Sequence, residues 1–256
     1  MLLQNKTAVV TGCNRGIGKK ILEVFSANGA TVFACVRNIS EEFKSNIKEI
    51  EKNTKNKIIP IQFDLSNESQ IKEAANSILS SDKSIDILVN NAAMIHTAIF
   101  QMTSIKKLKE VFEIDFFSQT NFTQYILKSM VKNKKGSILY ISSSSALDGN
   151  EGRSAYSSAK SALIAQSKVL SRELGVHNIR VNTIAPGLTN TDMMKKNTTQ
   201  ETIKDVLSRV SLRRIASTEE IANTALFLSS DLSSYITGQV IRVDGGMWWT
   251  QTHLIT

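Results

Sequence analysis

Short apolar, β-branched runs alternate with longer amphipathic stretches along almost the whole chain. The runs at residues 7–11, 31–36, 58–63, 85–89, 137–141, 179–184 and 240–243 read as strands. Between them, apolar residues recur at helical spacing over residues 16–27, 41–52, 69–79, 104–131, 154–174 and 218–228. Strands apolar on both faces and separated by helices belong to a parallel sheet covered on both sides. The pattern predicts an α/β fold, a doubly wound parallel sheet of about seven strands with helices on both faces.

That is the Rossmann architecture, in which ligands bind beyond the carboxyl ends of the strands. Residues 188–214 break the alternation with a polar stretch that holds a short helical piece near 201–210. The stretch follows the sixth strand, at the carboxyl edge of the sheet. Long connections without structure of their own are uncommon and often functional, so it is expected to be a substrate lid. With only two prolines, Pro60 and Pro186, and no linker or repeat, residues 1–256 read as one domain.

Composition adds exclusions. No run reaches the ~18 apolar residues needed to span a bilayer, and the first residues pass straight into a strand. A cytoplasmic chain is expected. Two cysteines, Cys13 and Cys35, make no disulfide framework. The net charge of +8 comes from dispersed lysines with no aromatic interleaving, so no nucleic-acid partner is expected. The histidines His96, His177 and His253 have no metal-ligand spacing, and no metal is expected.

Two motifs carry chemistry. The first, Gly12-Cys13-Asn14-Arg15-Gly16-Ile17-Gly18, follows the first strand and opens the first helix. Glycines let a backbone approach a pyrophosphate, and the helix N-terminus offers free N–H groups and a favourable dipole. The second strand ends Cys35-Val36-Arg37-Asn38, with no carboxylate to hold a ribose hydroxyl. Arg37, with Arg15 in the loop, suits a 2′-phosphate instead, so the cofactor is expected to be NADP(H). The second motif is Tyr156 and Lys160, four apart on one helix face. An unperturbed phenol titrates near ~10, and a nearby ammonium favours phenolate, so Lys160 is expected to lower the Tyr156 pKa.

In this order, the motifs make the chain resemble the short-chain dehydrogenase/reductase family from Lys6 to Gly246. The resemblance implies hydride transfer between a nicotinamide and a small-molecule carbonyl or alcohol. It implies cofactor contacts from Gly12, Asn14, Arg15, Gly16, Ile17, Gly18 and Arg37, from Asp64 and Leu65 after the third strand, and from Asn91 and Ala92 after the fourth. Pro186, Gly187, Thr189 and Thr191 match the family's segment beside the nicotinamide carboxamide. Lys160 is implied to hold the nicotinamide ribose and Tyr156 to be the acid–base residue. The family's catalytic serine stands thirteen before the tyrosine, which selects Ser143, with Ser142, Ser144 and Ser145 as neighbours in the same run. Two positions depart from the family. Ala93 replaces a glycine, and Asp115 stands where an asparagine helps hold a proton-relaying water. The family also implies a homotetramer. The pattern is closest to bacterial 3-oxoacyl-carrier-protein reductases, although arginines that often dock the acidic carrier there are Lys134 and His177 here. A sugar or sugar-nucleotide reductase is the alternative in the same class, and a catalytically silent nicotinamide-binding sensor is the alternative outside it.

Overall fold

A computed structural model describes residues 1–81 and 83–247. Seven strands form one parallel sheet: β1 (Thr7–Thr11), β2 (Thr31–Val36), β3 (Ile58–Gln62), β4 (Ile87–Asn90), β5 (Gly136–Ile141), β6 (Ile179–Pro186) and β7 (Val240–Val243). Their spatial order is β3-β2-β1-β4-β5-β6-β7. The chain winds outward from β1 in one direction and then from β4 in the other. The loops after these two neighbours therefore diverge and leave a crevice at the carboxyl edge.

The helices form the outer layers. They are α1 (Gly16–Ala27), α2 (Glu41–Thr54), α3 (Glu68–Leu79), α4 (Ile105–Phe112), α5 (Ser118–Asn133), α6 (Ser145–Asp148), α7 (Ser154–Leu174), α8 (Asp192–Asn197), α9 (Gln200–Ser208) and α10 (Thr218–Ser229). Successive side chains of a strand point to opposite faces, so one run of apolar residues feeds two cores. Ala8 and Val10 of β1 join Ile21 and Phe25 of α1, Phe43 of α2 and Ile221 and Leu228 of α10. Val9, between them, joins Ile78 of α3, Phe122 and Ile126 of α5 and Leu163 of α7. Each such fully buried Val, Leu, Ile or Phe side chain contributes about 1.5–3 kcal/mol. Pro60 sits in β3, which pairs only with β2, so its missing N–H costs no ladder bond.

Polar residues set the helix starts. Ser40 accepts from Phe43 N–H, Asn67 from Gln70 N–H and Ser104 from Lys107 N–H. Ser217 and Glu220 close a reciprocal capping box at the start of α10.

Three sequence expectations are corrected. The helix expected over 104–131 is divided by a wide π-helical turn, Glu113–Phe117, between α4 and α5. That turn carries Asp115 inward to accept from Met94 N–H at 2.8 Å, a bond that a regular pattern of apolar positions does not reveal. The fourth strand starts at Ile87 rather than residue 85, because the Asp86 carboxylate accepts from Thr7 N–H at the foot of the ladder. The segment 188–214, expected to hold one short helical piece, holds two helices, α8 and α9, capped by Thr191 and Thr199. Bridges Thr189–Ala216 and Val210–Met247 pin it near both ends.

Candidate active site

The crevice begins at Thr11, the last residue of β1. Its hydroxyl oxygen accepts from the backbone N–H groups of Asn91, at 2.9 Å, and Ala92, at 3.0 Å. In return, the Asn91 side-chain amide donates to Thr11 O at 2.9 Å. This exchange ties the glycine loop to the end of β4. Gly12 has φ +72°, in the left-handed region that favours glycine. Gly18 has no such constraint, but a Cβ there would stand 2.2 Å from Gly12 O. The loop and α1 approach too closely for any side chain at residue 18. The N-cap residue of α1 is Arg15, whose side chain makes no capping bond, and the first turn has no acidic residue. Its N-terminal N–H groups thus keep their capacity for an anionic ligand.

Above the loop lies a cleft of about 770 Å³. Arg15, Arg37, Asp64 and Leu65 line it together with Asn14, Gly16, Ile17 and Gly18. Asp64 is held below the usual carboxylate range, first by the Ser66 N–H, with help from the Ser66 hydroxyl and the Arg37 charge. Asn91 and Ala92 line the cleft at the end of β4. Ala93 does too, and its φ lies outside the left-handed region, so its methyl group brings no backbone strain. Pro186, Gly187, Thr189 and Thr191 line the cleft beyond β6. Gly187 is packed so that a Cβ would lie 2.8 Å from Asp244 Cα. The segment 188–214 contributes Met193, Met194 and Val206, which the sequence did not mark as site residues.

The serine run after β5 divides by direction. Ser142 is buried and its hydroxyl donates to Lys160 O at 3.0 Å, fastening β5 to α7. Ser144 is buried, and its N–H donates to Pro186 O at 2.8 Å. The Ser145 hydroxyl donates to Ser143 Oγ at 2.9 Å and its N–H to the same oxygen at 3.2 Å. Ser143 is half-buried and favours the Tyr156 phenolate through a side-chain hydrogen bond.

Ser143, Tyr156 and Lys160 all line the cleft. Lys160 is buried, donates to Ile141 O at 3.1 Å and stands 5.8 Å from the Tyr156 ring centre. Asp115 is not at the cleft wall. It lies behind Lys160, with Oδ2 at 3.5 Å from Nζ. Burial pushes the Asp115 carboxyl above its ordinary range, and the Lys160 charge opposes that push.

The expectation that Lys160 lowers the Tyr156 pKa is corrected. Burial pushes the phenol above its usual value, and the Asp115 carboxylate pushes it the same way, against Ser143 and Arg153. The Lys160 ammonium is spent on Asp115 and the Ile141 carbonyl, so desolvation wins.

Other candidates lie outside this group. His96 has a buried Nε2 without a hydrogen-bond partner, while its neighbours Ile95 and Thr97 line the cleft. Cys13 is buried beneath the loop, where its thiol donates to Val10 O and burial pushes its pKa up, so a thiolate there is disfavoured. Among the described residues no helix is long and apolar enough to cross a membrane.

The sequence family described as enoyl-(acyl carrier protein) reductase matches residues 12–248. The 3-oxoacyl-(acyl-carrier-protein) reductase FabG of Chlamydia trachomatis is 39% identical over 247 residues, covering 96% of this chain and 98% of its own. This chain is a short-chain dehydrogenase/reductase. Among solved structures of the family is a putative NAD(P)-dependent gluconate 5-dehydrogenase from Beutenbergia cavernae with bound NADP. It is 28% identical, with a TM-score of 0.90 and 95% and 97% of the two chains covered. A 7α-hydroxysteroid dehydrogenase complexed with NADH and 7-oxo glycochenodeoxycholic acid is 33% identical, with a TM-score of 0.90 and 96% and 95% covered. Like its relatives, this short-chain dehydrogenase/reductase is an oxidoreductase of carbonyl and alcohol groups that uses a nicotinamide cofactor and small-molecule substrates.

The residues present fit that cofactor. The uncapped N-terminus of α1 and the glycine loop suit a pyrophosphate. Arg15 and Arg37, which both line the cleft, supply planar cationic forks.

Proposed function

We propose that this enzyme reduces the 3-carbonyl of a 3-oxoacyl thioester with NADPH. The observation that carries the reading is the convergence of Ser143, Tyr156 and Lys160 on one cleft with Arg15 and Arg37. The 39% identity to a 3-oxoacyl-(acyl-carrier-protein) reductase supports the substrate. The cationic pair, with no acidic residue at the end of β2, supports the 2′-phosphate.

When bound, the reduced nicotinamide supplies the hydride for the carbonyl carbon. Ser143 donates to the carbonyl oxygen and stabilises the charge that develops there. Tyr156 gives that oxygen its proton, and a phenol kept protonated by burial is in the correct state to do so. Lys160 holds the nicotinamide ribose and the Tyr156 surroundings in position, and Asp115 fixes Lys160 from behind. The lid helices α8 and α9 cover the substrate and exclude water. The exposed apolar residues Phe117 and Val169, on the helical layers, are available for a homotetramer in the cytoplasm.

The test is NADPH oxidation with an acetoacetyl thioester, run beside NADH and Tyr156→Phe. Turnover with NADPH that drops at least 10³-fold in the variant supports the reading. No turnover, or a variant as fast as the wild type, overturns it. Turnover of any carbonyl compound also excludes the silent sensor.

A further inference from the structure

Arg153 has no part in the chemistry above, yet it lines the cleft three residues before Tyr156. Arg153 is the N-cap residue of α7, and Tyr156 stands in the first turn of that helix. Arg153 and Tyr156 line the same cleft, and the Arg153 charge acts on the Tyr156 phenol. It is half-buried, and burial lowers its pKa, which marks a cation partly stripped of water.

Its position is fixed from two sides. One nitrogen donates to Thr97 Oγ1 at 2.5 Å and another to Asn197 O of α8 at 2.8 Å. These bonds use two of the five N–H donors of the guanidinium. Both acceptors are neutral. Glu151 and Asp192 also line the cleft, but among the described residues no carboxylate forms an ion pair with Arg153. Arg209, Arg214 and Arg242, by contrast, each pair with a carboxylate. A half-desolvated cation with neutral partners, beside the reacting centre, gains most from an anionic ligand. The positive end of the 21-residue helix α7, whose first turn has no acidic residue, acts in the same direction.

We propose that Arg153 is a specificity-determining residue that binds a carboxylate on the substrate, two bonds from the carbonyl carbon. The enzyme then accepts a free 3-oxo acid as well as the thioester. This rests on the carbonyl-reductase reading of the same cleft and adds the charge of the preferred substrate. Arg153 at the N-cap and Tyr156 in the first turn of α7 line one cleft, which keeps the distance short. An oxygen at Ser143 and Tyr156 leaves room for only a short link to an anion at Arg153.

The experiment compares three substrates that differ only at carbon 1: acetoacetate, ethyl acetoacetate and an acetoacetyl thioester, each with NADPH. For the wild type, kcat/KM for acetoacetate exceeds that for the ethyl ester. In Arg153→Gln the acid-to-ester ratio of kcat/KM falls about 10- to 100-fold, the loss expected for one charge-assisted pair. Arg153→Lys recovers part of it, since it keeps the charge and loses the fork. A wild-type preference for the ester overturns the proposal without any variant. So does a ratio within threefold of wild type in Arg153→Gln, because equal loss on both substrates marks a lid-holding role. Thioester turnover without acid preference defeats the anion site alone, whereas no turnover of all three defeats the reductase reading and this proposal with it.

Discussion

Asp115 Oδ2 lies 3.5 Å from Lys160 Nζ, and neither side chain reaches solvent. The same carboxylate raises the pKa of Tyr156, to which it makes no bond. One member of a buried charge pair therefore adds to the effect of burial on a third group that lines the cleft.

Asp115→Asn keeps an acceptor for Met94 N–H and removes the negative charge. The Tyr156 pKa then falls, since one of its two raising causes is gone. Reduction needs the protonated phenol, so activity is lost as pH rises through this pKa. The alkaline limb of the kcat profile moves to lower pH in the variant. A limb that stays in place or moves up would show that Asp115 does not control the phenol.

Arg37→Ala removes one of two cations facing the adenosine part of the cleft. Its NADPH Kd rises about 10- to 100-fold, the worth of one charge-assisted hydrogen bond. The NADH Kd changes far less, because NADH has no 2′-phosphate. Fluorescence titration at fixed salt reads both values, and equal losses for the two cofactors would remove the phosphate argument.

Ser142 and Ser143 are adjacent and predicted to fail differently. Ser143→Ala lowers kcat about 10²-fold with little change in melting temperature. Ser142→Ala removes the bond to Lys160 O and costs about 1 kcal/mol of stability, a fall of roughly 2–4 °C. Steady-state rates and thermal melts of both variants check the assignment. A larger loss of kcat in Ser142→Ala would move the oxygen-holding role to that residue.

The parallel sheet was legible because its strands are apolar without interruption, and the helices because apolar residues recur at helical spacing along them. The glycine loop was legible because close packing of Gly12 and Gly18 permits no other residue there. What stayed hidden depends on contacts between distant segments. Thr11 reads as a strand end, and only the pairing of β1 with β4 shows its hydroxyl holding Asn91 and Ala92. The direction of the Tyr156 shift needed the position of Asp115 behind Lys160, forty-odd residues away in the chain. Arg153 looks like an ordinary surface charge until α8 and Thr97 close around it.

The wide turn at Glu113–Phe117 gives the longest helical span one residue more than regular coiling needs. Each residue of an α-helix advances the side chains by about 100°. The extra residue is thus a phase slip, and it lets the span serve two masters. Upstream and within it, Val111 and Asp115 face the catalytic helix; downstream, Phe122, Ile126 and Met130 face the sheet. Deleting a single residue here would restore the regular coil and swing one of those faces out of alignment. The segment tolerates changes of side chain more readily than changes of length.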